Sequence, residues 1–179
     1  MRNFIPGIAS TIAAEEMTYF FLLELQLGGA TVRYNDSDIQ IIHEGETVTH
    51  GDVSLTGVYA DHGDLAPEAL GVVVQSGDIR VWQVADTAYR PERWQDVFSL
   101  GIDVIIPPIN GAYGNLNGEE AARLAALTGA KIIIPTHFWT FVEHRSDPYA
   151  FAEYCRTYVP NAEVRWMTQG EGTLIPCAL

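Results

Sequence analysis

Three side chains that can bind a metal ion follow three separate predicted strands of this 179-residue chain. His62 comes after LTGVYAD, Asp86 after IRVWQVA, and His137 after KIIIPT. In open α/β sheets, ligands bind at the carboxyl ends of strands. Two imidazoles and a carboxylate are also the donors that suit borderline divalent ions such as zinc, manganese or iron. Taken singly, each residue is more simply interpreted as a half-buried histidine or a turn-capping aspartate, but together they predict a metal site.

The elements that must position these residues are mostly short, β-branched runs separated by Gly, Asp, Asn or Pro, a pattern typical of strands. We predict strands over residues 20–25, 30–34, 38–43, 47–50, 53–60, 70–75 and 79–85, with hairpins at Gly28-Gly29 and at Ser76-Gly77-Asp78. Helices are predicted over 90–100, 118–128 and 147–158, and further strands over 103–108, 130–137, 164–167 and 173–175. The first part of the chain is rich in predicted strands, and the later part alternates strands with helices. This order indicates an α/β sandwich with helices covering the sheets, in one domain over 1–179.

Composition and charge narrow the classes of function. With 47% apolar residues, the chain is able to build one domain with a substantial core. Its net charge of −13 disfavours nucleic acids and anionic membrane surfaces as partners. We find neither an apolar window long enough for a membrane helix nor a signal-peptide cleavage site, so we expect a cytoplasmic protein. Cys155 and Cys177 lack metal-ligand spacing, which favours inert buried thiols.

The residues from about 36 to 175 resemble the carboxyl-terminal half of the metallo-β-lactamase superfamily, and within it the branch related to L-ascorbate-6-phosphate lactonase. The resemblance is carried by GETVTHGDVSLTGVYADHGDLAPEALG, VADTAY, GIDVIIPPINGAYGNLNGEEAARLAALTGAKIIIPTHFW and EHRSDP. It implies an αββα sandwich with a dinuclear metal site at one edge, where His62 and His137 are ligands and Asp86 bridges the two ions. It also implies hydrolysis of a small ester, lactone or phosphoester by a metal-activated water, with zinc or manganese as the cofactor.

One motif of that family is missing from this sequence. The motif His-x-His-x-Asp-His does not occur, and the residues before Asp36 contain no histidine. Each ion would therefore keep about two protein ligands, whereas a catalytic zinc normally has three and a water. We expect a sandwich shortened in its N-terminal half, with residues 1–35 as an atypical segment.

Three arrangements would compensate for the missing ligands. The first is a site for one ion with two histidines and one carboxylate. The second recruits further ligands from Asp61, Asp64, His144, His43 or His50. The third is a homo-oligomer, because an apolar sheet surface left exposed would favour association with a second subunit.

Other residues are candidates for substrate contact. The loop 109–118 is rich in Asn and Gly, so Asn110 and Asn115 are positioned to orient polar substrate atoms, although the loop also suits a plain helix cap. Trp139 is a candidate for the wall of the pocket beside His137, and core packing is its alternative. His144, beside Arg145, is a candidate for binding an anionic group. The hypothesis is a metallo-hydrolase with His62, Asp86 and His137 in catalysis; the alternative is a catalytically silent, truncated relative that acts as an oligomeric or binding module.

Overall fold

The structure of the protein is a computed structural model, and it describes residues 26–27, 30–31, 41–139, 146–168 and 172–176. The predicted strand 20–25 lies outside these ranges, as do residues 32–34 of the predicted strand 30–34 and residues 38–40 of the predicted strand 38–43. His144, Arg145 and Cys177 also lie outside them. The nature of residues 1–35 therefore stays a prediction. Around Gly28-Gly29, β1 (Gln26–Leu27) and β2 (Ala30–Thr31) pair antiparallel, as the hairpin prediction requires.

A mixed seven-stranded sheet organises the described residues, with its strands in chain order. The strands are β3 (Thr47–His50), β4 (Val53–Tyr59), β5 (Leu70–Ser76), β6 (Ile79–Gln83), β7 (Val104–Ile106), β8 (Ile132–Ile133) and β9 (Glu163–Val164). Strands β3 to β6 form an antiparallel meander, whereas β6 to β9 are parallel. Helical segments join the parallel strands. Parallel strands need such crossover connections, which are usually helices.

Helices cover one face of this sheet. They are α1 (Gln95–Ser99), α2 (Gly118–Thr128) and α3 (Pro148–Tyr158). Trp82, Ile105 and Ile133 of the sheet share one buried cluster with Leu124 of α2 and Phe151 of α3. Because strand residues alternate between faces, the neighbours of these three strand residues point to the opposite side.

The ends of the two longer helices follow from local sequence. At the start of α2, the Asn117 side chain accepts a hydrogen bond from the Glu120 backbone N–H, and the Glu120 carboxylate accepts one from the Asn117 N–H. This reciprocal pair satisfies two helix donors. Gly129 ends α2 in the left-handed conformation, at φ 68°. Asp147 caps α3, which begins at Pro148 as proline at a first helical position favours.

The opposite face of the sheet carries a second apolar cluster. Val104, Ile132 and Ile134 are buried there, and four half-buried apolar side chains pack against them: Val81, Ile106, Met167 and Ile175. Both clusters come from the same strands by alternation, as expected for a sheet that is apolar on both faces.

The predicted α/β class is confirmed by the mixed sheet with helices packed against it, and several predicted elements are confirmed closely. The strand 47–50 and the helix 118–128 have the predicted bounds. The strands 53–60 and 70–75 are shifted by one residue at an end. The strand prediction for 79–85 extends too far, since β6 ends at Gln83 and Ala85 takes a positive φ of 64°.

The predicted strands 130–137 and 164–167 are shorter than expected, as β8 and β9. Three other predictions differ from the described residues in a way that the structure explains. The helix 90–100 is interrupted at Trp94, whose buried indole donates a hydrogen bond to the Tyr59 carbonyl while its backbone leaves the helical region. Residues 173–175 form no strand, because the Arg165 guanidinium binds Thr173 Oγ1 and the Leu174 carbonyl instead. Residues 41–43 form no strand either, and Ile42 is buried against Gly57. In each case a tertiary contact overrides the local pattern.

Candidate metal centre

The three candidate metal ligands follow strands whose carboxyl ends lie at the same edge of the sheet. Strand β5 is antiparallel to both β4 and β6, so β4 and β6 run in the same direction. Strands β7 and β8 are parallel to β6. Consequently, His62 after β4, Asp86 after β6 and His137 after β8 come to one edge, although 75 positions of sequence separate the first from the last.

Asp86 lies between the two imidazoles. Its Oδ2 is 3.9 Å from His62 Nε2, and its Oδ1 is 3.3 Å from His137 Nδ1. The His62 side chain is 16% exposed, that of Asp86 34% and that of His137 41%, so solvent reaches the His137 side more freely. The structure thus brings the three sequence-predicted residues together, with one imidazole at each carboxylate oxygen.

These donors fit a divalent ion in type and, for one pair, in spacing. Two ligands about 2.1 Å from one tetrahedral ion lie about 3.4 Å apart. The Asp86–His137 pair meets that separation, whereas the Asp86–His62 pair is wider by about half an ångström. His62 Nδ1 is buried and has no hydrogen-bond partner, so neither nitrogen of this ring is committed to a strong protein bond. A cation beside Asp86 would satisfy one of them.

The described residues do not form a closed ligand set. Across these ranges, no group of three or more His, Cys, Asp or Glu side chains is arranged around a common ion position. The two imidazoles instead approach different oxygens of Asp86, as pairs. Each side of the carboxylate therefore offers two protein donors and leaves other coordination positions open.

Hydrogen bonds between the segments after β4 and β6 fix the approach of His62 to Asp86. The Asp61 backbone N–H donates to Thr87 Oγ1 at 2.8 Å, and the Ala88 N–H donates to the Asp61 carbonyl at 2.8 Å. Thr87 is fully buried, and its hydroxyl donates to the Ala88 carbonyl. The Thr87 hydroxyl therefore supports the backbone beside His62 rather than an imidazole.

The backbone at this edge adopts conformations that non-glycine residues rarely take. Ala85, directly before Asp86, has φ 64°; His137 has φ 58°, and Trp139 has φ 56°. Each such conformation costs roughly 1–3 kcal/mol and persists where the surrounding structure enforces it, often at functional sites. The strain thus falls on one candidate ligand, His137, and on the residue directly before another, Asp86.

Asn110 and Asn115 are buried residues of a partly exposed loop at the same edge. The loop is bound to both ligand-bearing segments, because the Leu116 N–H donates to the Thr87 carbonyl and the Ile109 N–H donates to the Thr136 carbonyl. Asn110 and Asn115 are 4% and 7% exposed, and neither Oδ1 atom has a hydrogen-bond partner. A buried acceptor without a partner costs about 1–3 kcal/mol of folding free energy. We therefore expect a hydrogen-bond donor, from a ligand or a water, at these two Oδ1 atoms.

The remaining candidates have separate surroundings. Asp61 forms an ion pair with Arg90 at 2.9 Å, and Asp64, His43 and His50 are exposed. Trp139 is 65% exposed and lines an open groove together with His137. His144 lies outside the described residues.

Arg90 was not selected as a candidate residue from the sequence. Its guanidinium holds Asp61, the neighbour of His62, at 2.9 Å. The only local signal is a basic residue soon after Asp86, in ADTAYR.

Cys155 is buried as predicted. Its burial raises the pKa of the thiol to about 12, so the reactive thiolate is scarce near neutral pH. Cys155 therefore contributes packing in α3 rather than chemistry.

Residues 13–137 match the family described as "Beta-lactamase superfamily domain". The chain belongs to the metallo-β-lactamase superfamily. It is 26% identical over 148 residues to a UPF0173 metal-dependent hydrolase of Hyperthermus butylicus, covering 82% of this chain and 62% of that protein. It is 31% identical over 143 residues to a UPF0173 metal-dependent hydrolase of Chloroflexus aurantiacus, covering 72% and 57% of the two chains.

A solved structure supports the same fold. Igni18, a metallo hydrolase from Ignicoccus hospitalis, superimposes with a TM-score of 0.65 at 23% identity, over 74% of this chain and 58% of that one. The chain spans 62% and 57% of the lengths of the two curated relatives above. In the described part of the chain, every helix is too short or too polar to cross a bilayer.

Proposed function

We propose that this chain is a metal-dependent hydrolase of a small ester, lactone or phosphoester. The observation that supports this function is the Asp86 carboxylate with one imidazole at each oxygen, at the strand edge where α/β sheets bind ligands. The similarity to proteins named metal-dependent hydrolases supports the same reaction class. A lactonase-like substrate and a cytoplasmic location remain expectations from the sequence.

In this proposal, His62, Asp86 and His137 hold zinc or manganese, as one or two ions. A bound ion of this kind supplies Lewis-acid polarisation of a substrate oxygen and lowers the pKa of water. Asp86 anchors the centre, because its two oxygens face the two imidazoles. Its carboxylate would also be able to accept a proton from a water bound at the centre, and the greater exposure of His137 would make that side the entrance.

We assign substrate contact to the residues that the sequence analysis selected. The unpaired Oδ1 atoms of Asn110 and Asn115 are available to accept hydrogen bonds, directly or through ordered water. Trp139 presents an exposed ring next to His137. His144 keeps its proposed role toward an anionic group.

A second function is favoured by the open ligand set. An ion on either side of Asp86 would have one carboxylate oxygen and one imidazole as protein ligands. Two ligands are fewer than the three that a catalytic zinc usually has. The alternative is thus a catalytically silent family member that persists as an oligomeric or binding module and takes up metal weakly.

Metal content and turnover distinguish the two functions. The full chain, purified without chelator, should contain one or more zinc or manganese ions per chain by elemental mass spectrometry. It should also hydrolyse p-nitrophenyl esters or bis-(p-nitrophenyl) phosphate. His137→Ala should lose both metal and turnover, whereas His50→Ala, which alters an exposed histidine of β3, should lose neither. A metal-free protein without turnover, with an unfolding midpoint that chelator leaves unchanged, would support the module instead.

A further inference from the structure

The imidazole of His62 is not held in place by hydrogen bonds of its own. Within the described part of the chain, its buried Nδ1 atom has no hydrogen-bond partner. Its Nε2 atom lies 3.9 Å from Asp86 Oδ2, which is too far for a hydrogen bond. The placement of this ring beside the carboxylate therefore depends on the turn that carries it, residues 61–63.

Asp61 fastens this turn with all of its polar groups. Its N–H donates to Thr87 Oγ1 at 2.8 Å, and its carbonyl accepts a hydrogen bond from the Ala88 N–H at 2.8 Å. Its Oδ1 atom accepts one from the Gly63 N–H at 3.2 Å, which closes the turn around residue 62 as aspartate commonly does. Its Oδ2 atom accepts one from Arg90 Nε at 2.9 Å. The residues on both sides of the imidazole are thus bonded to Asp61.

The distant partners of Asp61 come from the segment that carries Asp86. Thr87 follows Asp86 directly, and residues 88 and 90 are close behind it. The hydrogen bond from the Asp61 N–H to Thr87 Oγ1 therefore joins the neighbour of His62 to the neighbour of Asp86. Because each end of this bond adjoins a candidate ligand, the bond limits how far apart the two ligands can move.

The ion pair of Asp61 and Arg90 adds to this control and has little value for stability. The Arg90 side chain is 45% exposed and that of Asp61 24%, and ion pairs at such exposure contribute little to the free energy of unfolding. The guanidinium engages one carboxylate oxygen while the Gly63 N–H engages the other, so neither oxygen is left for a metal ion. The pair instead fixes the conformation of the turn at His62.

We propose that Asp61 and Arg90 are positioning residues, which hold His62 at its side of Asp86, and that Asp61 is not itself a metal ligand. The inference rests on the proposed function, since a metal centre is what makes this placement useful. It also replaces the recruitment of Asp61 as a further ligand by a role exerted through the neighbouring imidazole. Loss of such outer partners of metal ligands typically weakens metal binding by about 10–100-fold.

The zinc affinity of the full chain distinguishes positioning from direct ligation by the sign of the change. Arg90→Gln removes a positive charge and releases a carboxylate oxygen of Asp61, so Coulomb attraction alone would strengthen zinc binding. If Arg90 positions His62, the same change should weaken it about tenfold, measured by competition with a chromophoric chelator. Arg90→Lys, which keeps a charged donor, should restore most of the affinity.

A matched control separates this effect from the loss of any surface ion pair. Arg123 has a similar exposure, 52%, and its guanidinium lies 2.8 Å from the Glu119 carboxylate within α2. Arg123→Gln removes the same charge without touching residues 61–63 or 86–90. It should leave the zinc affinity unchanged.

Chemical modification of histidines tests the same placement without metal. The full chain, with and without chelator, is treated with diethylpyrocarbonate, and each histidine is followed by peptide mass spectrometry. His62 should react severalfold faster in Arg90→Gln and in Thr87→Val than in the parent, because the turn opens locally. His137, on another segment of the same edge, and the exposed His50 should react at their parental rates. Thr87→Ser keeps the hydroxyl and should behave like the parent.

Each outcome bears on one of the two proposals. Stronger zinc binding by Arg90→Gln would make Asp61 a ligand and overturn the positioning role, as would unchanged affinity with unchanged modification of His62. Equal acceleration at His62 and His137 would overturn it too, because the whole edge would have loosened. A parent chain that binds no zinc overturns the proposed function, and the modification rates then decide the positioning role alone. Thr87 is fully buried, so if Thr87→Val fails to fold, the half-exposed Arg90 decides the test.

Discussion

The helix-covered face of the sheet and its carboxyl edge are built in opposite ways. On the face, Trp82, Leu124 and Phe151 are fully buried, and adjacent helices are capped by their own flanking residues. At the edge, Asp86 and His137 are partly exposed, and the backbone at Ala85 and His137 has positive φ. The face supplies stability, whereas the edge tolerates strain and incompletely paired polar groups. From this difference we infer that the covered face holds the strained edge in place, and each prediction below tests that division.

The largest effect is expected in the core of the covered face. Trp82 is fully buried, with its ring 5.5 Å from Trp94 and 6.5 Å from Phe98. Trp82→Ala should lower the free energy of unfolding by about 3–5 kcal/mol, measured by urea denaturation, because it removes buried surface and leaves a cavity. Trp139→Ala, at the exposed edge, should lower it by less than about 1 kcal/mol. Equal losses would contradict the division between a stabilising face and a functional edge.

Metal binding should stabilise the protein through the edge alone. With free zinc or manganese at about 100 times its Kd, the free energy of unfolding should rise by about 2.7 kcal/mol, because the ion binds only the native state. The rise is to be followed as a shift in unfolding midpoint with and without chelator. Asp86→Ala should abolish the shift while the midpoint without metal stays near that of the parent. A shift of the same size in Asp86→Ala would place the ion elsewhere.

The cap of α2 should contribute an intermediate amount. Asn117→Ala removes the hydrogen bond that the Glu120 N–H donates to the Asn117 side chain, while the backbone N–H of residue 117 can still donate to the Glu120 carboxylate, and it should lower the free energy of unfolding by about 1 kcal/mol. Chemical denaturation measures the loss, and Asn161→Ala, in an exposed turn, should stay within about 0.5 kcal/mol of the parent. If the two variants were equally stable, the cap geometry at Asn117 would be of no consequence.

The structure of the covered face was easier to predict because the residues that determine it lie close together in the sequence. Asn117, Glu120 and Gly129 lie within the few residues that start and end α2, so the bounds of this helix follow from its own sequence. The hairpin at Ser76-Gly77-Asp78 is confirmed for the same reason, with Ser76 paired to Ile79. By contrast, the break at Trp94 depends on Tyr59, 35 positions away, and no local pattern reveals it.

The edge was predictable only in part. The position of His62, Asp86 and His137 after strand-like runs was sufficient to select them, since strand direction brings such positions together. The sequence did not reveal which carboxylate oxygen meets which imidazole, or that Arg90 holds Asp61. Those contacts depend on turns whose conformation is imposed by tertiary hydrogen bonds, such as the one from the Asp61 N–H to Thr87 Oγ1.

The smallest effect concerns the strained residue before Asp86. Ala85→Gly removes a side chain from a backbone with φ 64°, where an L-residue costs roughly 1–2 kcal/mol. Glycine also makes the unfolded chain more flexible, at a cost of about 0.5–1 kcal/mol, so a net gain of about 0.5 kcal/mol in the free energy of unfolding is expected. The same change in a relaxed helix, Ala126→Gly in α2, should instead lose about 1 kcal/mol.

Denaturation curves of the two variants give the sign of each change, and the metal-dependent midpoint shift of Ala85→Gly gives its effect on Asp86. If strain at Ala85 orients Asp86, stability rises while the metal-dependent shift falls, because a flexible residue no longer fixes the carboxylate between the two imidazoles. A loss of stability in Ala85→Gly as large as that in Ala126→Gly would show that the edge is as relaxed as the helix. The contrast between the two regions would then lie in hydrogen bonding and exposure rather than in backbone strain.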